Sequence, residues 1–281
     1  MALPDDFNLD DFARHVLAED LGSGGDLTSK ATIAEDARFT AEMNARQALV
    51  VAGIEIAAAF FRSLDPKVEI EQLVKDGELV EHGATLLRLA GNARSMLAAE
   101  RSALNAIQHL SGIATLTRRY VDAINGTGAI LLDTRKTIPG LRLLEKFGCR
   151  MGGAQNHRMR LDDGILIKDN HVAVCGGVAE AVRRAKEANT GLPVQVEVDR
   201  IDQIEPALAA GADRLLLDNM DPARLRQAVQ LVGGRVPLEA SGGVTLETIR
   251  FLAETGVTFI SVGRITQSAP AVDIGLDYSI G

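Results

Sequence analysis

The second half of the chain alternates short apolar runs with amphipathic stretches. The runs are rich in Ile, Leu and Val, as in buried parallel strands, and the stretches between them carry apolar residues at helical spacing. We predict strands at Ile130–Asp133, Ile165–Lys168, Val194–Val198, Leu215–Asp218, Leu238–Ala240 and Ile260–Val262. We predict helices at Leu141–Phe147, Val178–Ala188, Asp202–Ala209, Pro222–Val232 and Leu246–Glu254. This alternation indicates a parallel sheet, and having fewer strands than a closed barrel indicates an open or incomplete α/β barrel.

The first half of the chain has the mixed pattern of a small α+β unit. Glycine and acidic residues interrupt the apolar pattern at Glu19–Asp26, where we expect a loop. The predicted elements are helices at Phe7–Leu17 and Ile54–Ser63 and strands at Phe39–Met43, Gln47–Val51 and Val68–Val74. A long Ala- and Leu-rich helix from Arg94 to Asn125 follows, with an expected break or kink at Ser111-Gly112.

Composition narrows the class of protein. The chain has 281 residues, 46% of them hydrophobic, which is enough to bury a large core. A net charge of -8 argues against general nucleic-acid binding, which needs a basic face. No apolar run approaches the ~18 residues of a membrane helix, and the N-terminus lacks the pattern of a secretion signal. Cys149 and Cys175 lack metal-site spacing and form no disulfide framework, and only Cys149 is left open as a nucleophile. We expect a cytoplasmic protein that binds neither nucleic acid nor membrane.

Charged residues and glycines follow the predicted strands, at the sheet edge where such folds bind their ligands. They are Arg135, Lys136 and Lys168, then Glu197 and Asp218, then Ser241, Gly242, Gly243 and Gly263, with His157 and Arg158 in an intervening loop. Basic groups pair with phosphate, carboxylates hold ribose hydroxyls or Mg2+, and glycine turns let backbone N–H groups approach a phosphate. Any one of the charged residues and glycines could be a solvated charge, a cap or a turn residue, and His157 could be a structural hydrogen-bonding histidine. Together they favour a polyanionic, phosphorylated ligand.

The motifs of the whole chain resemble those of the quinolinate phosphoribosyltransferase family. They are Leu17–Gly22, Ala99–Thr115, Asp133–Arg142, Asn156–Arg158, Leu166–His171 and Ser261–Gly263. The resemblance implies that quinolinate condenses with phosphoribosyl pyrophosphate, with Mg2+, to give nicotinate mononucleotide, pyrophosphate and carbon dioxide. It also implies an N-terminal α+β sandwich domain over residues 1–108, joined by residues 272–281, and a C-terminal open α/β barrel over residues 109–271.

The same resemblance implies residue roles. Arg135, His157, Arg158 and Lys168 would bind the two carboxylates of quinolinate, and Arg101 would reach in from the other subunit of a homodimer. Lys136, Lys168, Glu197 and Asp218 would be catalytic, and Glu197 and Asp218 would hold the metal. Ser241, Gly242, Gly243 and Gly263 would bind phosphate. We expect no covalent nucleophile.

Three segments depart from the family pattern as we expect it. Gly152–Gln155 has Ala154 in place of a further glycine, Ser23–Asp26 is one glycine longer, and Gly263–Gln267 has Arg264 and Gln267 where alanine and histidine are expected. Arg264 could add a phosphate contact and Gln267 could keep a hydrogen bond. We expect altered affinity rather than lost activity.

Three other functions stay open from the sequence. One is a related branch associated with molybdenum transport, which we expect to lack Leu166–His171. Another is a Schiff-base aldolase using Lys168, since barrels often place a reactive lysine at a strand end. The third is a nucleotide-sensing or carrier module, for which Lys75–Leu87 has a hairpin pattern like that of lipoyl domains but no lysine at a tight tip.

Overall fold

A computed structural model describes residues 3–4 and 6–279 of the chain. The strands are β1 (Arg38–Ala45), β2 (Leu49–Val50), β3 (Glu69–Gln72), β4 (Leu79–Val80), β5 (Thr85–Asn92), β6 (Ile130–Leu132), β7 (Ile165–Ile167), β8 (Val194–Val198), β9 (Arg214–Asp218), β10 (Leu238–Ser241), β11 (Phe259–Ser261) and β12 (Ile274–Ser279). The α-helices are α1 (Leu9–Leu21), α2 (Leu27–Thr32), α3 (Ile54–Leu64), α4 (Ala93–Ala123), α5 (Arg142–Gly152), α6 (Asp169–Cys175), α7 (Val178–Glu187), α8 (Ile204–Ala209), α9 (Pro222–Val232), α10 (Ile249–Ala253) and α11 (Arg264–Gln267). Two compact units result, one of residues 1–118, 143–153 and 268–281 and one of residues 119–142 and 154–267.

The first unit is built on a four-stranded antiparallel sheet in the order β12-β1-β5-β3. Burial alternates along β1 from Ala41 to Ala45, because successive side chains point to opposite faces of the sheet. Helix α3 buries seven residues from Ile54 to Phe61. Helix α1 continues to Leu21, so the predicted loop begins later than expected. Strand β3 is mostly exposed rather than half-buried.

Helix α4 runs unbroken for 31 residues, so the predicted break at Ser111-Gly112 is wrong. The Ser111 hydroxyl accepts a hydrogen bond from Ala52 N at 3.0 Å. A Cβ atom on Gly112 would lie 2.2 Å from the backbone oxygen of Pro270. These residues therefore permit a close approach of neighbouring backbone, and they do not interrupt the helix.

The second unit contains a six-stranded parallel sheet in the order β6-β11-β10-β9-β8-β7. Its central strands are largely buried: Leu215–Leu217 is an apolar run, and in β8 the buried Val194, Val196 and Val198 alternate with Gln195 and Glu197. Helices α6 to α11 alternate with the strands. The prediction of an α/β fold with fewer strands than a closed barrel is confirmed. In the described part of the chain, no helix is both long and apolar enough to cross a membrane.

Candidate active site

Polar groups lie at the carboxyl ends of the six parallel strands. Parallel pairing brings these ends to one edge of the sheet, and Ser241 on β10 lies opposite Asp218 on β9 in the register. Open α/β sheets bind ligands at this edge. Every predicted site residue except Arg101 belongs to this second unit.

Asp133 organises the first part of the edge. It follows β6, is fully buried, and accepts hydrogen bonds from the Asn156 side chain and from His157 N, the latter at 2.8 Å. The returning chain pairs with β6, because Gln155 N donates to Leu131 O at 3.0 Å. This carboxylate therefore holds the loop that carries the predicted residues His157 and Arg158 next to the end of β6.

The guanidinium groups of Arg135 and Arg158 form a positively charged cluster. Burial, and then the charge of Arg135, lower the pKa of Arg158, while Asp163 opposes the shift. The Nε atom of Arg135 is buried and has no hydrogen-bond partner among the described residues. Two like charges in a partly buried place favour the binding of an anion between or beside them.

Arg142 also belongs to this edge of the sheet, and the sequence analysis did not predict it as a site residue. Its Nε donates to Thr137 Oγ1 at 3.1 Å and its NH1 group donates to Met159 O at 3.2 Å. It thereby ties the loop after β6 to the loop after Arg158. Its place inside the Asp133–Arg142 motif could have indicated a role, but the spacing of residues in the sequence does not predict its two hydrogen-bond partners.

Lysines and carboxylates meet at the ends of β7, β8 and β9. Lys168 Nζ donates to Glu197 Oε2 at 2.9 Å, and the Glu197 side chain is only 11% exposed. Burial, and then the charge of Glu197, raise the pKa of Asp218, while Asn219, Lys168 and Lys136 lower it. The predicted catalytic residues Lys136, Lys168, Glu197 and Asp218 are thus within electrostatic reach of one another.

The glycine loop after β10 packs closely on the end of β9. Asn219 has a left-handed backbone (φ 53°), its N–H donates to Ser241 O at 2.8 Å, and its Nδ2 donates to Asp218 Oδ2 at 2.6 Å. A Cβ atom on Gly242 would lie 2.1 Å from Asn219 Oδ1, so only glycine fits. Gly243, next in the loop, has space around it. A cavity of about 260 Å³ is lined by this loop.

The end of β11 approaches the loop after β6. A Cβ atom on Gly263 would lie 2.8 Å from Lys136 Cδ, so the lysine side chain passes over this glycine. The Thr266 hydroxyl donates to Lys136 O at 2.7 Å. Arg264 is the first residue of α11. The pKa of Glu247 is lowered mainly by a hydrogen bond from the Thr245 hydroxyl, and the positive charge of Arg264 lowers it further. The predicted phosphate contact of Arg264 stays a prediction.

The ring of His157 lies between the backbone of Arg158 and the side chain of Glu239. Its Nδ1 atom accepts a hydrogen bond from Arg158 N at 2.7 Å, and its buried Nε2 atom lies 3.5 Å from Glu239 Oε2. Nε2 has no hydrogen-bond partner among the described residues, and the predicted contact of His157 with quinolinate stays a prediction. Arg101 is exposed on α4 in the first unit, and its role in a neighbouring subunit stays a prediction.

The fold and this edge define a class of protein, the α/β enzymes that bind a polyanionic substrate at the carboxyl ends of a parallel sheet. Two protein-family models match the chain. The model of the quinolinate phosphoribosyl transferase N-terminal domain matches residues 26–111, and the model of the C-terminal domain matches residues 113–277. The chain belongs to the quinolinate phosphoribosyltransferase family, which confirms the resemblance seen in the sequence.

Named relatives extend over nearly the whole chain. It is 42% identical to the nicotinate-nucleotide pyrophosphorylase (carboxylating) of Mycobacterium leprae, over 95% of this chain and 96% of that protein. It is 41% identical to a probable enzyme of the same name from Bacillus subtilis, over 95% and 92%. The solved nicotinate-nucleotide pyrophosphorylase of Francisella tularensis is 41% identical and superimposes with a TM-score of 0.94, over 99% of this chain and 98% of that one.

Proposed function

We propose that this protein transfers a phosphoribosyl group from phosphoribosyl pyrophosphate to quinolinate and releases nicotinate mononucleotide, pyrophosphate and carbon dioxide, a step of NAD biosynthesis. The observation that carries the proposal is the composition of the sheet edge. A crowded pair of guanidinium groups lies on the same edge as a lysine–carboxylate cluster and a glycine loop. A substrate with two carboxylates would use the guanidinium pair, and a substrate with phosphates would use the lysine–carboxylate cluster and the glycine loop.

Quinolinate would bind at the guanidinium cluster. Arginine presents two parallel N–H donors to a carboxylate, so Arg135 and Arg158 suit the two carboxylates of a planar dicarboxylate. Lys168 would add a third positive charge from the end of β7. An anion there would offset the burial and the repulsion by Arg135, which together lower the pKa of Arg158. Nicotinate, with one carboxylate, would leave part of this charge unbalanced.

Phosphoribosyl pyrophosphate would bind toward β9, β10 and β11. The Ser241–Gly243 loop and Gly263 offer backbone N–H groups without side chains that would block a phosphate. The Lys136 side chain, which lies over Gly263, would neutralise charge on the departing pyrophosphate. Glu197 and Asp218 would stabilise the cationic ribose carbon as that bond breaks.

The carboxylate pair also fits the Mg2+ ion that the family resemblance implies. Glu197 raises the pKa of Asp218, after burial as the larger cause, so a cation would be favoured beside them. No group of three or more His, Cys, Asp or Glu side chains suited to a metal occurs in the described residues. Two carboxylates are sufficient for Mg2+, which is usually completed by water and substrate phosphates. Bound there, the ion would supply charge neutralisation for pyrophosphate.

The bond changes follow from this arrangement. The pyridine nitrogen of quinolinate forms a bond to C1 of ribose, and the C1–O bond breaks with its electron pair leaving on pyrophosphate. The resulting pyridinium ring accepts the electron pair of the adjacent C–CO2 bond, carbon dioxide leaves, and the ring carbon takes a proton from solvent. Arg135 and Arg158 would orient the ring, and burial would exclude competing reactions.

Lys168 is better placed for charge neutralisation than for Schiff-base chemistry. A Schiff-base lysine must lose its proton to attack a carbonyl. Here Nζ donates to Glu197 Oε2 at 2.9 Å, so the amine is already engaged by a carboxylate at the sheet edge. Borohydride should therefore trap no adduct with a keto substrate.

We further propose a homodimer in which Arg101 of each subunit serves the other site, and a cytoplasmic location. Arg101 is exposed, as such a role requires. The two cysteines lie far apart in the sequence with no disulfide pattern, which suits a reducing compartment.

The reaction is tested by mixing purified protein with quinolinate, phosphoribosyl pyrophosphate and Mg2+. We expect quinolinate-dependent formation of nicotinate mononucleotide with an equal amount of carbon dioxide, and little product with nicotinate instead. Binding of phosphoribosyl pyrophosphate without turnover of either pyridine would contradict the proposal and favour a binding module or the transport-associated branch.

The shared site is tested by subunit complementation. Arg101→Ala and Lys168→Ala proteins should each be nearly inactive. Mixed after reversible dissociation, they should regain about a quarter of wild-type activity, because half of the dimers would be hybrids with one intact site. No regain, in a mixture shown to contain hybrids, would mean that Arg101 does not serve the neighbouring site.

A further inference from the structure

A buried carboxylate lies beneath the predicted quinolinate site. Glu239 on β10 is fully buried, and its Oε2 atom accepts a hydrogen bond from Gln195 Nε2 at 2.8 Å. An NH2 nitrogen of Arg214 lies 2.6 Å from the same oxygen, and the Arg214 guanidinium stacks 3.8 Å from the centre of the Phe259 ring. The third neighbour is His157, whose Nε2 atom lies 3.5 Å away. Three neighbours, Gln195, Arg214 and His157, thus converge on one fully buried acidic side chain.

The carboxyl group of Glu239 acts as a hydrogen-bond acceptor at this position. Burial alone would raise its pKa, but His157, then Arg214 and Gln195, lower it overall. An ionised carboxylate accepts hydrogen bonds and donates none. His157 Nε2 faces this charge at 3.5 Å and has no hydrogen-bond partner among the described residues, so the negative charge favours a proton on it.

The other nitrogen of His157 is constrained from the opposite side. A backbone N–H can only donate, and Arg158 N lies 2.7 Å from His157 Nδ1, so Nδ1 must be the unprotonated acceptor. The two contacts select one tautomer, with the proton on Nε2. A ring in the other tautomer would place two N–H groups against each other at Arg158.

We propose that Glu239 is a positioning residue for the substrate site. It fixes His157 as the Nε2–H tautomer, so that Nδ1 holds the backbone of Arg158 and with it the guanidinium that binds a quinolinate carboxylate. His157 then acts through Arg158 and not by touching substrate. This inference rests on the proposed function for its kinetic part, whereas the tautomer is a property of the protein without substrate.

Glu239 could instead be a purely structural partner of Arg214, and a matched pair of double variants separates the two roles. Glu239→Gln/Arg214→Met and Glu239→Leu/Arg214→Met both remove the buried ion pair, so neither leaves an unpaired charge in the interior. The first keeps an oxygen acceptor for His157 and the second does not. A structural role predicts that both behave alike.

The readouts are the tautomer and the Michaelis constants. Nitrogen NMR of histidine-labelled protein at about pH 8, above the ordinary histidine pKa, reports which ring nitrogen carries the proton. His157→Gln assigns the signal among the five histidines. In the Leu double variant we expect a mixed tautomer and a KM for quinolinate raised about 10- to 100-fold. In the Gln double variant we expect the wild-type tautomer and a KM within about threefold, because the acceptor remains. The KM for phosphoribosyl pyrophosphate should change little in either.

Equal impairment of both variants, or a wild-type tautomer and KM in the Leu variant, would overturn the proposal. If the Leu variant does not fold, substitutions of His157 decide the question. Asn carries an oxygen near the position of Nδ1 and Gln carries a polar group near Nε2. We expect His157→Asn to keep the lower KM for quinolinate, and the reverse order would mean that Nε2 contacts substrate. Asp76→Asn is the stability control, because Asp76 is a half-buried carboxyl in the first unit that caps the start of α3.

If the wild-type protein does not turn over quinolinate, the proposed function fails but the tautomer measurement still stands. A His157 signal in the Nδ1–H form in the wild-type protein would then refute the positioning role by itself.

Discussion

Gly242→Ala is the substitution whose effect follows most directly from the structure. Gly242 has a φ of +98°, and an added Cβ atom would lie 2.1 Å from Asn219 Oδ1 and 2.9 Å from Asn219 N. Neither of these two Asn219 atoms can move freely, because Asn219 N donates to Ser241 O and the Asn219 side chain donates to Asp218. The new methyl group must therefore displace Asn219, and Asp218 with it.

The magnitude has two parts. The unfavourable backbone conformation of a non-glycine residue costs about 1–2 kcal/mol. Overpacking against a held side chain adds about 1–3 kcal/mol, so the free energy of unfolding should fall by about 2–5 kcal/mol. A shift of Asp218 by a fraction of an ångström to 1 Å should lower kcat/KM for phosphoribosyl pyrophosphate on the order of 100-fold.

Two glycines of the same unit provide matched controls. Gly234 (φ +78°) follows α9, Gly243 (φ +59°) is next in the loop, and an added Cβ atom at either would meet nothing within 4 Å. In their alanine variants the free energy of unfolding should fall only by the cost of the backbone conformation, about 1–2 kcal/mol. Urea unfolding and steady-state kinetics of all three variants are the assay. If Gly242→Ala loses no more stability than Gly234→Ala and keeps its kcat/KM, the reasoning is refuted.

Three further predictions concern charge. Because burial and the charge of Glu197 raise the pKa of Asp218, its carboxylate destabilises the fold at neutral pH. Asp218→Asn should raise Tm at pH 7, with the gain disappearing as pH falls toward the ordinary aspartate pKa, and should lower kcat on the order of 100-fold; an unchanged or lower Tm at pH 7 would contradict this. Arg135→Lys should raise the KM for quinolinate about tenfold through loss of bidentate contact, whereas Arg235→Lys, in a surface ion pair, should not, and equal KM values in steady-state assays would count against the site. Chelation of Mg2+ should abolish turnover and Mg2+ alone should restore it; full activity in chelator would argue against a metal at the carboxylates.

The agreement between sequence and structure is best where local signals are strong. Helix α9 was predicted with its observed bounds, because Asp221 caps its first turn, Pro222 opens it and Gly233 (φ 57°) ends it. The strands of the parallel sheet were predicted within one residue at each end, because buried parallel strands are continuous apolar runs. Helix α6 was missed because it buries none of its residues, and it therefore has no apolar periodicity.

The misses at longer range have another cause. Strand β12 was missed because it is defined by pairing with β1, more than two hundred residues earlier in the chain. The unbroken course of α4 depends on what lies beside Ser111 and Gly112, namely Ala52 and Pro270. Neither neighbour is close in sequence, so composition alone suggested a break.

The sequence by itself determined which kinds of chemistry reach the sheet edge. Arg135, Lys168 and Asp218 stand at or just after the ends of apolar runs, and a parallel sheet brings such ends together whatever the details of packing. Only the tertiary structure decided how those groups are held. The acceptor role of His157 Nδ1, the buried Glu239 behind it and the left-handed Asn219 against Gly242 depend on distances between atoms of different strands and loops. Those distances arise from packing of the folded chain, and no local pattern of residues encodes them.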